Sequence, residues 1–297
     1  MAALQRGGRP AARRLDAGGG LGVYCGMVFP FFNRAPRVAL VRLTGLIAAR
    51  PDPFAGGLNA AGIGPLLDRA FAIRRLSAVM LMVNSPGGSP VQSSLIAAHI
   101  RRLAEAKKVP TIAVVEDAAA SGGYWIACAA DEIVADPASI LGSIGVISAG
   151  FGFDKAIARL GVERRLRTAG SEKSFLDPFR PEREPDAARL EELLAALHDE
   201  FKAWVRARRG ARLKAPEDAL FTGRFWTGRQ AVALGIADAL GDAEGEARRR
   251  FGEKVKIIRL GQRKRPFPWR LIPGAREGVE AIAAAAEERA AWARLGL

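Results

Sequence analysis

Cysteine and histidine are scarce in this 297-residue sequence, which contains two of each. Cys25 and Cys128 are too few for a disulfide framework, and they lack the spacing of a metal-binding cluster. His99 and His198 give a histidine-based metal site equally little support. The sequence therefore predicts neither a disulfide scaffold nor a bound metal, and we expect no cofactor.

Long apolar runs are also lacking. The only candidate membrane segment, residues 21–32, contains Pro30 and is shorter than the roughly 20 residues that a spanning helix needs. Preceding arginines give it some likeness to a signal peptide, but no small-residue cleavage site follows. We expect no transmembrane span and a cytoplasmic or peripherally membrane-associated protein. Peripheral contact through Phe29, Phe31 and Phe32 stays open.

The charge is unbalanced, with a formal net charge of +14 at pH 7. Clustered positive charge favours nucleic acid or anionic membranes. Here the basic residues are spread through predicted helices and concentrated at the two ends, without an aromatic-interleaved patch on which bases could stack. We therefore expect no nucleic-acid partner. No internal repeat of about 20 to 50 residues is present, which argues against a solenoid.

What the sequence does contain is an alternation of apolar strands and amphipathic helices. The predicted strands are 38–43, 78–84, 111–116, 132–135, 144–148, 162–168 and 255–260. The predicted helices are 58–73, 92–107, 121–130, 154–160, 186–209, which Asp186 would cap, and one ending near Gly235. Such alternation predicts an α/β fold with a parallel sheet covered by helices. We divide the chain into a disordered basic and apolar extension (1–36), one folded domain (37–262), and a linker with a C-terminal helix (263–297).

Ser121 follows one predicted strand and precedes a Gly-Gly pair at a helix start. A helix N-terminus presents unpaired N–H groups and partial positive charge, so an oxyanion forming there would meet donors. Ser121 is therefore a candidate nucleophile, and the amides of Gly87, Gly88 and Gly122 are a candidate oxyanion hole. The alternative is that Ser121 is an ordinary N-cap.

A serine nucleophile needs a base. A desolvated, neutral lysine can serve, whereas arginine stays protonated. Lys173 lies in the loop A-G-S-E-K-S-F-L-D-P at residues 169–178. Taken alone, the sequence around Lys173 favours an ordinary solvated loop lysine over a base, and that around Ser143 favours an ordinary turn residue.

Five ordered motifs together resemble the signal peptide peptidase A family of Ser-Lys peptidases, of the S49 type. They are N-S-P-G-G at 84–88, A-S-G-G-Y at 120–124, G-S-I-G-V at 142–146, the Lys173 loop ending in D-P-F-R, and G-R-F-W-T-G through G-I-A-D at 223–238. The likeness covers residues 37–260. It implies a ClpP/crotonase-like fold whose parallel sheet is built from ββα repeats covered by helices.

The same resemblance implies roles for individual residues. Ser121 would be the nucleophile, Lys173 the general base, and Ser143 the residue that orients the lysine. Where the family often has tyrosine before the lysine, this sequence has Glu172, whose side chain we expect to face water. The implied substrates are apolar peptides such as remnant signal peptides, and the implied assembly is a homo-oligomer.

Two other functions remain as alternatives. A crotonase-like acyl-CoA hydratase or isomerase would need carboxylates at the reacting centre, where this sequence places Ser121 and Lys173. A catalytically silent, membrane-associated scaffold would keep the shape of a peptidase without its activity.

Overall fold

A computed structural model of the chain describes residues 35–49, 57–261, 285–286 and 288–297. Nearly all of the predicted N-terminal extension, including the candidate membrane-contact segment 21–32, lies outside the described residues, as does most of the predicted linker. In the part of the chain that is described, no helix is long and apolar enough to cross a membrane.

The first half of the domain alternates strands and helices as predicted. Its elements are β1 (Arg37–Thr44), α1 (Ala60–Phe71), β2 (Leu76–Ser85), α2 (Pro90–Lys107), β3 (Thr111–Ala120), α3 (Gly122–Ala127), β4 (Glu132–Ala135) and β5 (Ile140–Gly142). β1, β2 and β3 are nearly continuous apolar runs because helices cover both faces of the sheet. α2 begins directly after the Gly87–Gly88 pair because Ser89 caps it and Pro90 fits its first turn.

The second half is mainly helical and returns to the sheet with short strands. Its elements are α4 (Asp154–Arg159), α5 (Glu184–Arg209), a 3₁₀ turn (Gly210–Arg212), α6 (Glu217–Leu220), β6 (Phe225–Thr227), α7 (Gly228–Leu234), β7 (Ala239–Leu240), α8 (Ala243–Phe251) and β8 (Lys256–Leu260). The predicted C-terminal helix is present where it is described, at 285–286 and 288–293.

The described strands form one eight-stranded sheet in the order β6-β5-β3-β2-β1-β8, with β4 beside β3 and β7 beside β4. All pairs are parallel except β5 with β6. β3 uses one edge twice, because its first half pairs with β4 and its last residues, Ala118 to Ala120, pair with β5. The predicted α/β class with a largely parallel, helix-covered sheet is confirmed, and Ser121 lies at the carboxyl end of β3.

The core lies on both faces of the sheet. The larger cluster joins the sheet to α1, α2, α3 and α5, and the smaller one packs α8 on the opposite face. The large side chains that are fully buried in the larger cluster include Ile63, Leu67, Leu81, Ile96, Ile100 and Tyr124. Each buried Ile or Leu contributes about 1.5–3 kcal/mol relative to an exposed one. This packing fixes α3, and with it Ser121, against the sheet.

Three predicted details are wrong. The strand predicted at 144–148 lies instead at Ile140–Gly142, where β3 provides a partner. Residues 162–168 form no strand, because this exposed run has no neighbouring strand to pair with and Val162 is 55% exposed. Asp186 does not cap α5, whose N-cap is Arg183; Asp186 lies in the first turn and forms an ion pair with Arg183 at 2.6 Å.

Candidate active site

Ser121 has a backbone conformation that residues other than glycine rarely adopt, with φ +50° and ψ −119°. Its N–H donates to the Gly142 carbonyl at 2.8 Å, and its own carbonyl accepts from Trp125 N–H at 3.0 Å. Ser121 occupies the N-cap position of α3, but its hydroxyl accepts no capping hydrogen bond. Ser121 therefore does not act as an ordinary N-cap, and it lines a cavity instead. Holding this strained conformation costs about 1–3 kcal/mol.

The Gly87–Gly88 pair packs tightly against this serine. A Cβ at Gly87 would lie 2.8 Å from Ser121 Cβ, and one at Gly88 would lie 2.0 Å from the Ile47 carbonyl oxygen. Both distances are too short for a side chain, so only glycine permits the approach. The Gly87 amide donates to Ser85 Oγ at 3.2 Å. Gly87 therefore supplies clearance, and within the described part of the chain the donor without an acceptor is the Gly88 N–H.

Two neighbouring amides remain unused beside Ser121. Two hydrogen bonds join this segment to Ile47: the Ile47 N–H donates to the Gly87 carbonyl, and the Ser89 N–H donates to the Ile47 carbonyl. The Gly88 N–H takes part in neither. Gly122 opens α3, where an N–H has no acceptor within the helix. A Cβ at Gly122 would lie 3.4 Å from Gly88 N, so the two amides are close together. Among the described residues neither amide has an acceptor, and the pair can act as an oxyanion hole.

Ser143 lies on the turn after β5, also with positive φ (+53°). Its N–H donates to the Arg224 carbonyl at 2.7 Å, and its carbonyl accepts from Gly145 N–H at 2.9 Å. Ser143 and Ser121 line the same cavity, of about 790 Å³. The structure thus brings together two of the three residues to which the resemblance gives catalytic roles.

The rest of this cavity is largely apolar. Its large apolar side chains are Trp125, Val146, Ile147, Leu197, Phe201, Phe221, Phe225 and Leu295. Its titratable or charged side chains among the described residues are His198 and Arg294, and no carboxylate lines it. The sequence did not identify His198 or the C-terminal helix as part of the site. The sequence did offer a signal: Leu197 and Phe201 are four residues apart, and this spacing puts two apolar side chains on the face of α5 that contains His198.

Lys173 is not brought to this cavity in the single chain. It is exposed, it does not line the cavity, and its N–H donates to the Gly170 carbonyl at 3.3 Å within a turn. Glu172 has a 63% exposed side chain that pairs with Arg189, so it faces water as the sequence predicted. The desolvation of Lys173 that a base requires is absent from the isolated chain.

Two titratable side chains a few residues after Ser121, Tyr124 of α3 and Cys128 at its C-cap, are fully buried. Tyr124 donates its hydroxyl to the Ile236 carbonyl at 2.9 Å. Burial raises the pKa of the Cys128 thiol to about 12 and raises that of Tyr124 well above its usual value. Both groups therefore stay protonated near neutral pH, and Cys128 is a core residue.

A strained serine, two free amides and an apolar cavity at the carboxyl end of a parallel sheet can support acyl transfer. This combination is typical of serine hydrolases. The sequence profile of peptidase family S49 matches residues 103–257, which is more than half of the chain, and the chain belongs to this family. The matched region contains Ser121, Ser143 and Lys173.

Two similar proteins differ in the function that their names give. The chain is 44% identical to "Na(+)/H(+) antiporter NhaA" of Brucella abortus, over 88% of this chain and 37% of that protein. It is 29% identical to "Serine protease SPPA, chloroplastic" of Arabidopsis thaliana, over 78% of this chain and 36% of that protein. The chain thus spans little more than a third of the length of these relatives.

Solved structures with similar folds include the 1510-N membrane-bound stomatin-specific protease in complex with a substrate peptide. That alignment covers 84% of this chain and 99% of the other, with 14% identity and a TM-score of 0.49. An alignment with ClpP1 from Listeria monocytogenes covers 69% and 92%, with 14% identity and a TM-score of 0.45.

Proposed function

We propose that this chain is a serine endopeptidase that cleaves peptide bonds by acyl transfer, with Ser121 as nucleophile and Lys173 as general base. The observation that carries the proposal is the strained backbone of Ser121, whose hydroxyl makes no capping hydrogen bond, beside the Gly88 and Gly122 amides, which have no acceptor among the described residues. Membership of peptidase family S49 supports it independently.

In this proposal a neutral Lys173 amine takes the proton from Ser121 Oγ, and the oxygen attacks the scissile carbonyl. The amides of Gly88 and Gly122 stabilise the oxyanion, and Lys173 returns the proton to the leaving amine. Water then hydrolyses the acyl-enzyme by the same route. Ser143, at the same cavity, orients the lysine amine.

The cavity wall favours apolar peptide substrates. Its aromatic and aliphatic side chains would bury an apolar substrate residue, whereas no carboxylate is present to bind a basic one. This lining agrees with apolar segments such as remnant signal peptides. It also disfavours the crotonase-like alternative, which needs carboxylates at the reacting centre.

The exposed position of Lys173 has a consequence for assembly. Because the single chain leaves this lysine off the cavity, we propose that the active form is a homo-oligomer in which a neighbouring copy delivers the amine. Exposed apolar side chains in the segment of the chain that precedes the Lys173 loop provide a surface for such contact. They are Ile147, Phe151, Phe153, Leu160 and Val162.

A catalytically silent scaffold is the second candidate, and the exposed Lys173 is the observation that favours it.

Turnover of a fluorogenic apolar peptide by the purified chain distinguishes the peptidase from the silent scaffold. We expect turnover by the parent and none by Ser121→Ala. Lys173→Arg should lose about 10²–10⁴-fold in kcat, because arginine cannot accept the proton. Lys107→Arg, at the exposed end of α2, is the matched control and should keep parental activity. An inactive parent, or full activity in Ser121→Ala, would contradict the peptidase proposal.

A further inference from the structure

His198 of α5 contacts the turn that carries Ser143. Its Nε2 lies 3.1 Å from the Ile144 carbonyl oxygen. A carbonyl oxygen only accepts hydrogen bonds, so Nε2 must carry the hydrogen and donate it. The neutral ring therefore has its proton on Nε2, and its lone pair on Nδ1.

The turn itself is held on two sides. Backbone groups hold one side, because Gly223 N–H donates to the Ile144 carbonyl at 3.1 Å and Ser143 N–H donates to Arg224. His198 provides the second donor to the Ile144 carbonyl, from a different element. Since Ser143 has positive φ, which non-glycine residues adopt only when surrounding contacts enforce it, these contacts determine where its hydroxyl stands.

The helix that carries His198 is itself firmly attached behind Ser121. Phe201 stacks on Trp125 of α3 with ring centroids 4.8 Å apart. Trp204 donates its indole N–H to the Trp125 carbonyl at 2.9 Å. One rigid face of α5 therefore contacts both α3, which begins after Ser121, and the turn that carries Ser143.

We propose that His198 is a positioning residue, whose Nε2–H fixes the Ser143 turn relative to Ser121 across the cavity. The inference rests on the proposed peptidase function and adds to it a residue outside the serine–lysine set. His198 does not act as the base through Nε2, because that nitrogen carries a proton. The contact persists when the ring is protonated, since imidazolium keeps the Nε2–H.

Steady-state kinetics with matched variants test this role. His198→Leu removes the donor and keeps an apolar side chain, whereas His198→Gln keeps an N–H donor at a similar reach. We expect His198→Leu to lower kcat about 3- to 10-fold with KM near parental, and His198→Gln to restore kcat to within about twofold. His99→Gln, at the histidine paired with Asp68 on α1, is the control and should be parental.

A double-mutant cycle separates positioning from general stability. If His198 acts through Ser143, His198→Leu should cost nothing further in kcat once Ser143→Ala is present. Additive losses, a parental kcat in His198→Leu, or failure of His198→Gln to restore activity would each overturn the inference.

Ser121→Ala distinguishes failure of the proposed function from failure of the His198 inference. Turnover that persists in Ser121→Ala defeats the proposed function. Turnover that requires Ser121 but stays parental in His198→Leu defeats the His198 inference alone.

Discussion

At the scale of single residues, Ser121 carries backbone strain that its surroundings enforce. The β3–β5 pairing holds its N–H on Gly142, and the first turn of α3 holds its carbonyl. Strain of this kind persists at functional sites because the fold over-determines it. The hydroxyl makes no capping bond that would explain the choice of serine on structural grounds.

Replacement of Ser121 by glycine and by alanine should therefore have different effects on stability. Glycine adopts the observed φ without strain, whereas alanine keeps the strain and loses only the hydroxyl. We expect Ser121→Gly to unfold with a free energy about 1 kcal/mol higher than Ser121→Ala, while both lack activity. Urea unfolding of the two variants measures the difference. A Ser121→Ala variant that is the more stable of the two would mean that position 121 is unstrained, because glycine loses more conformational entropy on folding than alanine.

Cys128 provides a test of the packing beneath Ser121. Because burial raises the pKa of its thiol to about 12, the reactive thiolate is almost absent at pH 8. In a Cys25→Ser background, iodoacetamide at pH 8 should label Cys128 far more slowly in the folded chain than in urea. Mass spectrometry of the intact chain follows the reaction. Equal labelling rates would show that α3 is not buried as described.

At the scale of elements, a buried ion pair joins α5 to the segment after α7. Arg209 is 2% exposed and donates to Asp238 at 2.7 Å and to the Gly235 carbonyl at 2.7 Å. Asp238 also accepts from the Ile133 N–H of β4 at 2.7 Å. The G-I-A-D motif is thus structural: Gly235 ends α7 with a left-handed conformation, and Asp238 neutralises a buried arginine.

Removal of Asp238 should leave Arg209 buried without its partner. We expect Asp238→Ala to lower the free energy of unfolding by about 3 kcal/mol, the lower end for breaking a buried pair, because Asp238 is partly exposed. Asp199→Ala, which breaks an exposed pair with Lys202, is the control and should change stability little. Chemical denaturation of both variants gives the comparison, and similar losses would contradict the structural role.

The elements show where sequence reasoning succeeds. β1, β2 and β3, with α1 and α2, were predicted within a few residues, because apolar periodicity and the caps at Asn59 and Ser89 are local signals. The family resemblance implied that Ser121 and Ser143 belong to one site, and both line one cavity in the structure. The strand predicted at 162–168 failed because β pairing depends on a partner that local sequence does not specify. His198 was missed because its acceptor lies 54 residues away.

At the scale of the whole molecule, the proposed delivery of Lys173 by a neighbouring copy would link assembly to activity. Two inactive variants should restore each other if the base comes from a neighbouring copy. We expect a mixture of Ser121→Ala and Lys173→Ala chains to recover part of the parental turnover, because some interfaces then combine an intact serine with an intact lysine. A mixture of Ser121→Ala with the Ser121→Ala/Lys173→Ala double variant is the control and should stay inactive.

Light scattering accompanies the mixing experiment. The parent should have the mass of at least two 31.7 kDa chains. A monomer across micromolar concentrations, or a mixture that recovers no activity although each variant assembles, would contradict delivery of Lys173 between copies.

Covalent labelling with a fluorophosphonate tests the central claim most directly, because the probe reacts only with a serine whose oxygen is activated. The account predicts that the assembled parent is labelled and that peptide mapping places the adduct on Ser121. It also predicts that labelling is abolished in Ser121→Ala and strongly slowed in Lys173→Arg. Parental labelling rates in Lys173→Arg would contradict the serine–lysine pair, and an adduct on any other serine, or none at all, would contradict Ser121 as the nucleophile.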